Sequence, residues 1–225
     1  MDRLLWQRRL RRAHRYIALL TSVQLLLWTV GGIYFAFFEI SAVRGEHLRQ
    51  PAASITADFA RLDWAAESDR PIQLRERLPG ELIVGVAQSA QISWRDVNGD
   101  EVIALTQAQA IALANSVSHL VVDSADWIDE SVPASEYRGR TLPLWRVFSS
   151  QDPATVAYLD AYSGELVAIR GDAWRVWDFL WSLHIMDYDT RDHIGTPLLK
   201  VVSVMALLSA LLGLFLFVSL PKKWS

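Results

Sequence analysis

The chain has 225 residues, a net charge of −3 at neutral pH and no cysteine. A charge so near zero implies neither an acidic nor a basic partner. The missing thiol excludes a disulfide framework, a cysteine nucleophile and any thiolate-held metal or iron–sulfur cluster.

Residues 1–15 carry Arg3, Arg8, Arg9, Arg11, Arg12 and Arg15. An uncharged apolar run follows from Tyr16 to Phe38. At about 1.5 Å per residue, a helix over 16–38 crosses a hydrocarbon core of about 30 Å. The run is too long for a signal-peptide core and ends in Phe35, Phe37 and Phe38 rather than in small residues, so it reads as a retained transmembrane anchor. Thr21 and Gln24 are its only strongly polar side chains, and Gly31 and Gly32 are small enough for close helix packing. Residues 39–53 read as a linker.

From residue 54 the sequence becomes patterned. A short helix is expected over 54–62, and strands over 71–78 and 81–88, broken at Pro79-Gly80. A hairpin is expected over 91–105 around Asn98-Gly99, a dipeptide suited to positive φ. The Ala-rich stretch 106–116 predicts a helix capped by Thr106. Strands at 119–126 and 142–149 flank a polar loop over 131–140, and 155–170 reads as a hairpin turning at Tyr162-Ser163-Gly164. The segments WRDVNGDEVIAL (94–105) and YLDAYSGELVAI (158–169) resemble each other. Duplication of one helix-plus-sheet unit explains this, as does turn chemistry common to hairpins. The units are 54–105 and 106–172.

Residues 173–196 form an aromatic juxtamembrane stretch. Trp174, Trp177, Trp181 and His184 recur at three and four residues, so a helix presents them on one face, with Tyr188 just beyond. Such a face suits a membrane interface or a partner subunit, with His184 as a potential haem ligand or proton carrier. A second apolar run, 201–220, makes 197–220 the second transmembrane helix, with Gly213 as a packing position, and 221–225 is a tail with Lys222 and Lys223. No ionisable residue falls inside either apolar run. Basic residues precede the first span and follow the second, so the positive-inside rule places both termini in the cytoplasm and the central domain outside. In a bacterium with two membranes this is a two-pass inner-membrane protein with a periplasmic domain. Arginines abutting a span are a topology signal for the lipid bilayer rather than for nucleic acid.

The helix ALTQAQAIALA, the strand LPLWRVFS and the closing element VAYLDAYSGE (156–165) resemble a PepSY domain, whose last strand follows V-x-V-D-x-x-[ST]-G-E. His14-Arg15-Tyr16 at the first span and LHIMDYDTRDHIGTPLL (183–199) before the second are similar to the membrane-anchored PepSY group. The resemblance implies an α+β fold: two transmembrane helices flanking a periplasmic helix-plus-antiparallel-sheet domain. Larger members have four spans, and some are haem-containing reductases of ferric siderophores. This chain has two.

Histidines are the only ligands available to haem. A single haem b cannot be bound by His14 and His184 together, because the expected topology separates them by about a membrane thickness. His184 with His193, His184 with His47, or a histidine from another chain are the arrangements left open. Asp187, Asp189, Asp192 and Glu46 either solvate the outer flank or hold a cation. Motifs for serine hydrolysis, zinc peptidase chemistry, nucleotide or dinucleotide binding are missing. The expected function is a non-enzymatic, membrane-anchored accessory or regulatory subunit contacting other membrane subunits, with no catalytic residue, no metal and no obligatory cofactor. A haem-binding electron-transfer subunit and a periplasmic peptidase inhibitor are the alternatives.

Overall fold

A computed structural model describes residues 2–51, 55, 71–88 and 91–219. They fall into two compact units, one of Met1–Glu39 with Val176–Ser225 and one of Ile40–Arg175. The expected helix over 54–62 lies outside the described residues.

The helical unit contains α1 (Asp2–Phe37) and α5 (Pro197–Ser219), with the greater part of α4 (Asp172–Ile185). Helix α1 runs unbroken for 36 residues, so the basic segment and the first apolar run share one rod. Both α1 and α5 are long and apolar enough to cross a membrane. Most of their large apolar side chains are exposed, including Leu19, Val23, Leu26, Leu207, Leu211 and Phe215, as expected of helices whose solvent is lipid.

The second unit is α+β. Helix α2 (Ile40–Val43) and a 3₁₀ turn (Glu46–Leu48) lead into it. Strands β1 (Ile72–Leu78), β2 (Glu81–Gln88) and β3 (Gln91–Asp96) form one antiparallel sheet. Helix α3 (Gln107–Val117) precedes β4 (Val122–Ile128), β5 (Leu144–Ser149), β6 (Val156–Asp160) and β7 (Leu166–Arg170), which pair antiparallel in sequence order. Thr106 caps α3 in a full capping box with Gln109. Alternating side-chain direction divides the residues of β5 and β6 between the two faces of the sheet, and both faces of β6 are buried. Val147, Ala157 and Leu159 join Leu113 and Ala114 of α3 in the main core. Leu144, Val156 and Tyr158 join Tyr137, from the loop after β4, in a smaller cluster.

Three expectations gain detail in the structure. Within the segment expected as a linker, Val43 is buried, Arg49 donates to the Leu166 carbonyl at 2.6 Å, and the Gln50 backbone N–H donates to the Val117 carbonyl at 2.9 Å. This segment lacked hydrophobic periodicity because side-chain-to-backbone bonds hold it rather than an apolar face. The turn at Asn98-Gly99 forms, with Gly99 at φ 93°. Its second arm pairs with β3 only briefly, through the Arg95–Glu101 bridge and the Val102 amide donating to the Trp94 carbonyl at 3.1 Å, and β3 pairs along its length with β2. The two similar segments therefore fold differently: 94–105 leaves a three-stranded meander, whereas 158–169 closes a four-stranded sheet.

The β6–β7 turn shows why its sequence was legible. Asp160 Oδ1 accepts from the backbone N–H groups of Tyr162 and Ser163 and from the Ser163 hydroxyl. Gly164 sits at φ +68°, and a Cβ there would lie 2.5 Å from Leu113 Cδ2 and 3.1 Å from Arg77 Cγ. Only glycine meets both demands. Buried Arg77 locks the turn further, donating to the carbonyls of Ile103 at 2.7 Å and Tyr162 at 3.1 Å and pairing with Glu81.

Candidate functional site

Helix α4 carries the aromatic pattern, and the structure turns most of that face inward. The contacts run in antiparallel order, Phe35 against Trp177 and Trp28 against His184. The segment 177–184 thus follows α1 lengthwise. The Trp177 and Trp181 rings stack at 5.4 Å, Trp181 and His184 stack at 6.1 Å, and Phe35 lies near all three. Two polar side chains of α1 fasten the pair. Gln24 Nε2 donates to the Leu183 carbonyl at 2.9 Å, and Trp28 Nε1 donates to the His184 carbonyl at 2.8 Å. Both carbonyls lie in the last turn of α4, where no intrahelical donor is available. Gln24, the polar exception in the first apolar run, is thereby explained.

Trp174, in the second unit, is buried beneath two guanidinium groups. Arg170 lies 4.4 Å from its ring centre and Arg138 5.4 Å. Exposed on α4 are Val176 and Phe179, with Tyr188 beyond its end. Of the residues expected to meet a partner, Tyr188 is exposed, Trp177, Trp181 and His184 are engaged with α1, and Trp174 is held by arginines.

Two of the helical unit's three histidines, those on its helices, are notable. The Nδ1 atoms of His14 and His184 are shut off from solvent and have no hydrogen-bond partner. His14 packs on α5 at Gly213, where an added Cβ would lie 3.1 Å from His14 Cε1 and 3.4 Å from Nε2. Thus an ionisable ring rests against the interior of the second apolar run, a placement that reading each run separately missed. The signal available was the pair itself: a histidine at the edge of one span and a glycine within the other. Gly31 has Phe35 at 3.8 Å and the Leu180 carbonyl at 4.0 Å from an added Cβ, so it marks the close passage of α4. Gly32 has nothing within 4 Å.

His193 is exposed, in the loop joining α4 to α5. Its amide is one of four backbone N–H groups, with those of Asp189, Thr190 and Asp192, that donate to Asp187. The Thr190 hydroxyl adds a fifth donor and, with the amides, holds the Asp187 carboxyl well below the usual carboxylate range. Asp187 organises its own loop, and its oxygens are taken. Buried Asp178 accepts from Arg191 Nη1 at 2.8 Å. Among the described residues no group of three His, Asp or Glu side chains is placed to hold a metal ion.

Do these residues fit haem? Neutral imidazole nitrogens without partners are suitable axial donors. On an unbroken helix, however, the step from His14 to Trp28, beside His184, is about 21 Å. The two cannot flank one macrocycle within a chain.

A family model described as a PepSY-associated TM region matches residues 11–225. No curated protein and no solved structure matches the chain.

Proposed function

We propose, from the premise that this chain belongs to the PepSY-associated TM family, that it is a non-enzymatic accessory subunit of a larger complex in the bacterial inner membrane. Both termini would be cytoplasmic and the α+β domain periplasmic. The observation that carries this reading is the use of the aromatic segment. Trp177, Trp181 and His184 fasten α4 to α1, which makes the helical unit a three-helix scaffold. The lipid-exposed faces of α1 and α5, with Val176, Phe179 and Tyr188, are then the surfaces left for neighbouring subunits. Extraction in mild detergent followed by affinity capture tests this. A defined set of co-purifying membrane subunits is expected; a chain that always elutes as a lone monomer overturns the proposal.

A haem-binding electron-transfer role is the second reading, favoured by the two partnerless imidazole nitrogens. Bound haem would supply one-electron chemistry, and His14 or His184 would hold it through an imidazole nitrogen together with a residue of another chain. Purified protein would then show a Soret band that is altered by His184→Ala. A sample without haem absorbance, even after reconstitution with haemin, removes this alternative. Nothing in the geometry favours peptidase inhibition.

A further inference from the structure

The basic end of α1 carries a pattern that topology alone does not require. On a helix turning about 100° per residue, Arg8, Arg11, Arg12 and Arg15 fall within one arc of about 100° and span about 10 Å of the axis. All four are exposed. Leu19, Leu26 and Ile33, also exposed, continue the same line into the apolar run. The packed side of α1 lies elsewhere. His14 meets α5 at Gly213, and Thr21 and Gln24 are buried, at positions centred about 140° around the helix from the arginines. The arginine stripe and the apolar exposed face of α1 are therefore one surface.

Like-charge pairs crowd this stripe at three- and four-residue spacing: Arg8 with Arg11, Arg8 with Arg12, Arg11 with Arg15, and Arg12 with Arg15. Each such pair opposes the helix, and an acid one turn away would offset it. No Asp or Glu occurs from residue 3 to residue 38, and none follows Asp192. Helix α1 thus has no acid within a turn of the stripe, and α5 has none at all. The counter-charge has to come from outside these two helices.

We propose that the stripe is a binding face for anionic phospholipid, selecting headgroups of net negative charge from the leaflet around it. Depth favours this partner. Arg15 directly precedes the apolar run, so its backbone stands at the edge of the hydrocarbon core. Helical side chains lean toward the N-terminus, here out of the core and into the headgroup layer. Arg11 and Arg12 lie about one turn further out. A guanidinium pairs two of its donors with phosphate oxygens, and basic residues beside a span gain most from anionic lipid when close to the surface. A nucleic acid would have to leave water for the headgroup layer to reach Arg15. The site concerns α1 itself and does not depend on which subunits the chain meets or on which side its basic end lies.

The test uses the full chain, delipidated in a non-ionic detergent, with lipid binding read by native mass spectrometry. Phosphatidylglycerol and phosphatidylcholine with identical acyl chains share the phosphodiester and differ in net charge. The first phosphatidylglycerol is expected to bind at least about tenfold tighter than the first phosphatidylcholine. Two double variants then remove the same charge from different faces. Arg11→Gln with Arg15→Gln should cut the ratio to about threefold or less, whereas Arg3→Gln with Arg9→Gln, outside the arc, should leave it within about twofold of the native value. Equal affinity for the two lipids overturns the proposal without relying on any variant. Equal losses in the two double variants reduce the effect to the number of charges and overturn the face. A bound duplex oligonucleotide that phosphatidylglycerol fails to displace assigns the stripe to nucleic acid and overturns it as well.

Discussion

Between the helices Gln24 and Trp28 reach far along the sequence, whereas at the turns and caps of the sheet domain Asp160 and Thr106 close on groups a few residues away, with Arg49 and Arg77 as the long-range exceptions there. Gln24 and Trp28 bond carbonyls 159 and 156 positions distant. Asp160 and Thr106 satisfy backbone groups within three. The difference follows from the solvent. In an aqueous domain water competes for every exposed polar group, so short loops keep their own partners. Between membrane helices hydrophobic burial contributes little, and a side-chain amide bonded across the interface acts as a clasp. Among the described residues, the buried polar atoms without partners are two imidazole nitrogens and Arg191 Nε in the helical unit, and Arg146 Nε and the Ser135 hydroxyl in the sheet domain.

Breaking the local logic should have the largest effect. Gly164→Val combines positive-φ strain with a clash against Leu113 and Arg77, and should destabilise the domain by about 3 kcal/mol or more. Urea unfolding followed by tryptophan fluorescence reads this, and an unchanged midpoint would refute the turn's role. The corresponding change in the helices is Gly213→Leu, which drives a side chain into the His14 ring. A loss on the order of 2 kcal/mol is expected, measured as earlier separation of α1 and α5 in a denaturing-detergent titration with a fluorophore on each helix. Gln24→Leu tests the clasp alone. Removing one interhelical hydrogen bond should weaken the α1–α4 pair by about 1 kcal/mol, visible as faster hydrogen exchange at 180–185, while exchange in α3 stays unchanged.

The loop at Asp187 sharpens the comparison through pH. Its carboxyl is a stronger acid folded than unfolded, chiefly through the Thr190 hydroxyl and then the loop amides. The stabilisation is therefore fully present above the unfolded value of about 3.9 and is lost as pH falls below it. Asp187→Asn should flatten the acid limb of the pH–stability curve; an identical limb would show that other carboxylates control it. The smallest effect is expected from Tyr158→Phe, which removes one bond to Glu136 and should cost about 0.5–1 kcal/mol by thermal unfolding.

Much of this was legible in the chain. The two apolar runs, the Thr106 cap, the Pro79-Gly80 break and the Asp160–Gly164 turn are each specified by neighbouring residues, because backbone conformation and capping act over a few positions. What pairs with what was not legible. The turn at Asn98-Gly99 forms and its second arm bonds β3 briefly, yet the long partner of β3 is β2. The tryptophan face has the amphipathic pattern of an interfacial helix, yet it packs on α1. His14 stands outside the first apolar run in sequence and against the second in space. Local propensity is set within a turn or two of chain, so the sequence alone settled the elements and their caps. Partner choice and the fate of buried nitrogens depend on surfaces that meet only once distant segments have packed, and those the tertiary structure decided.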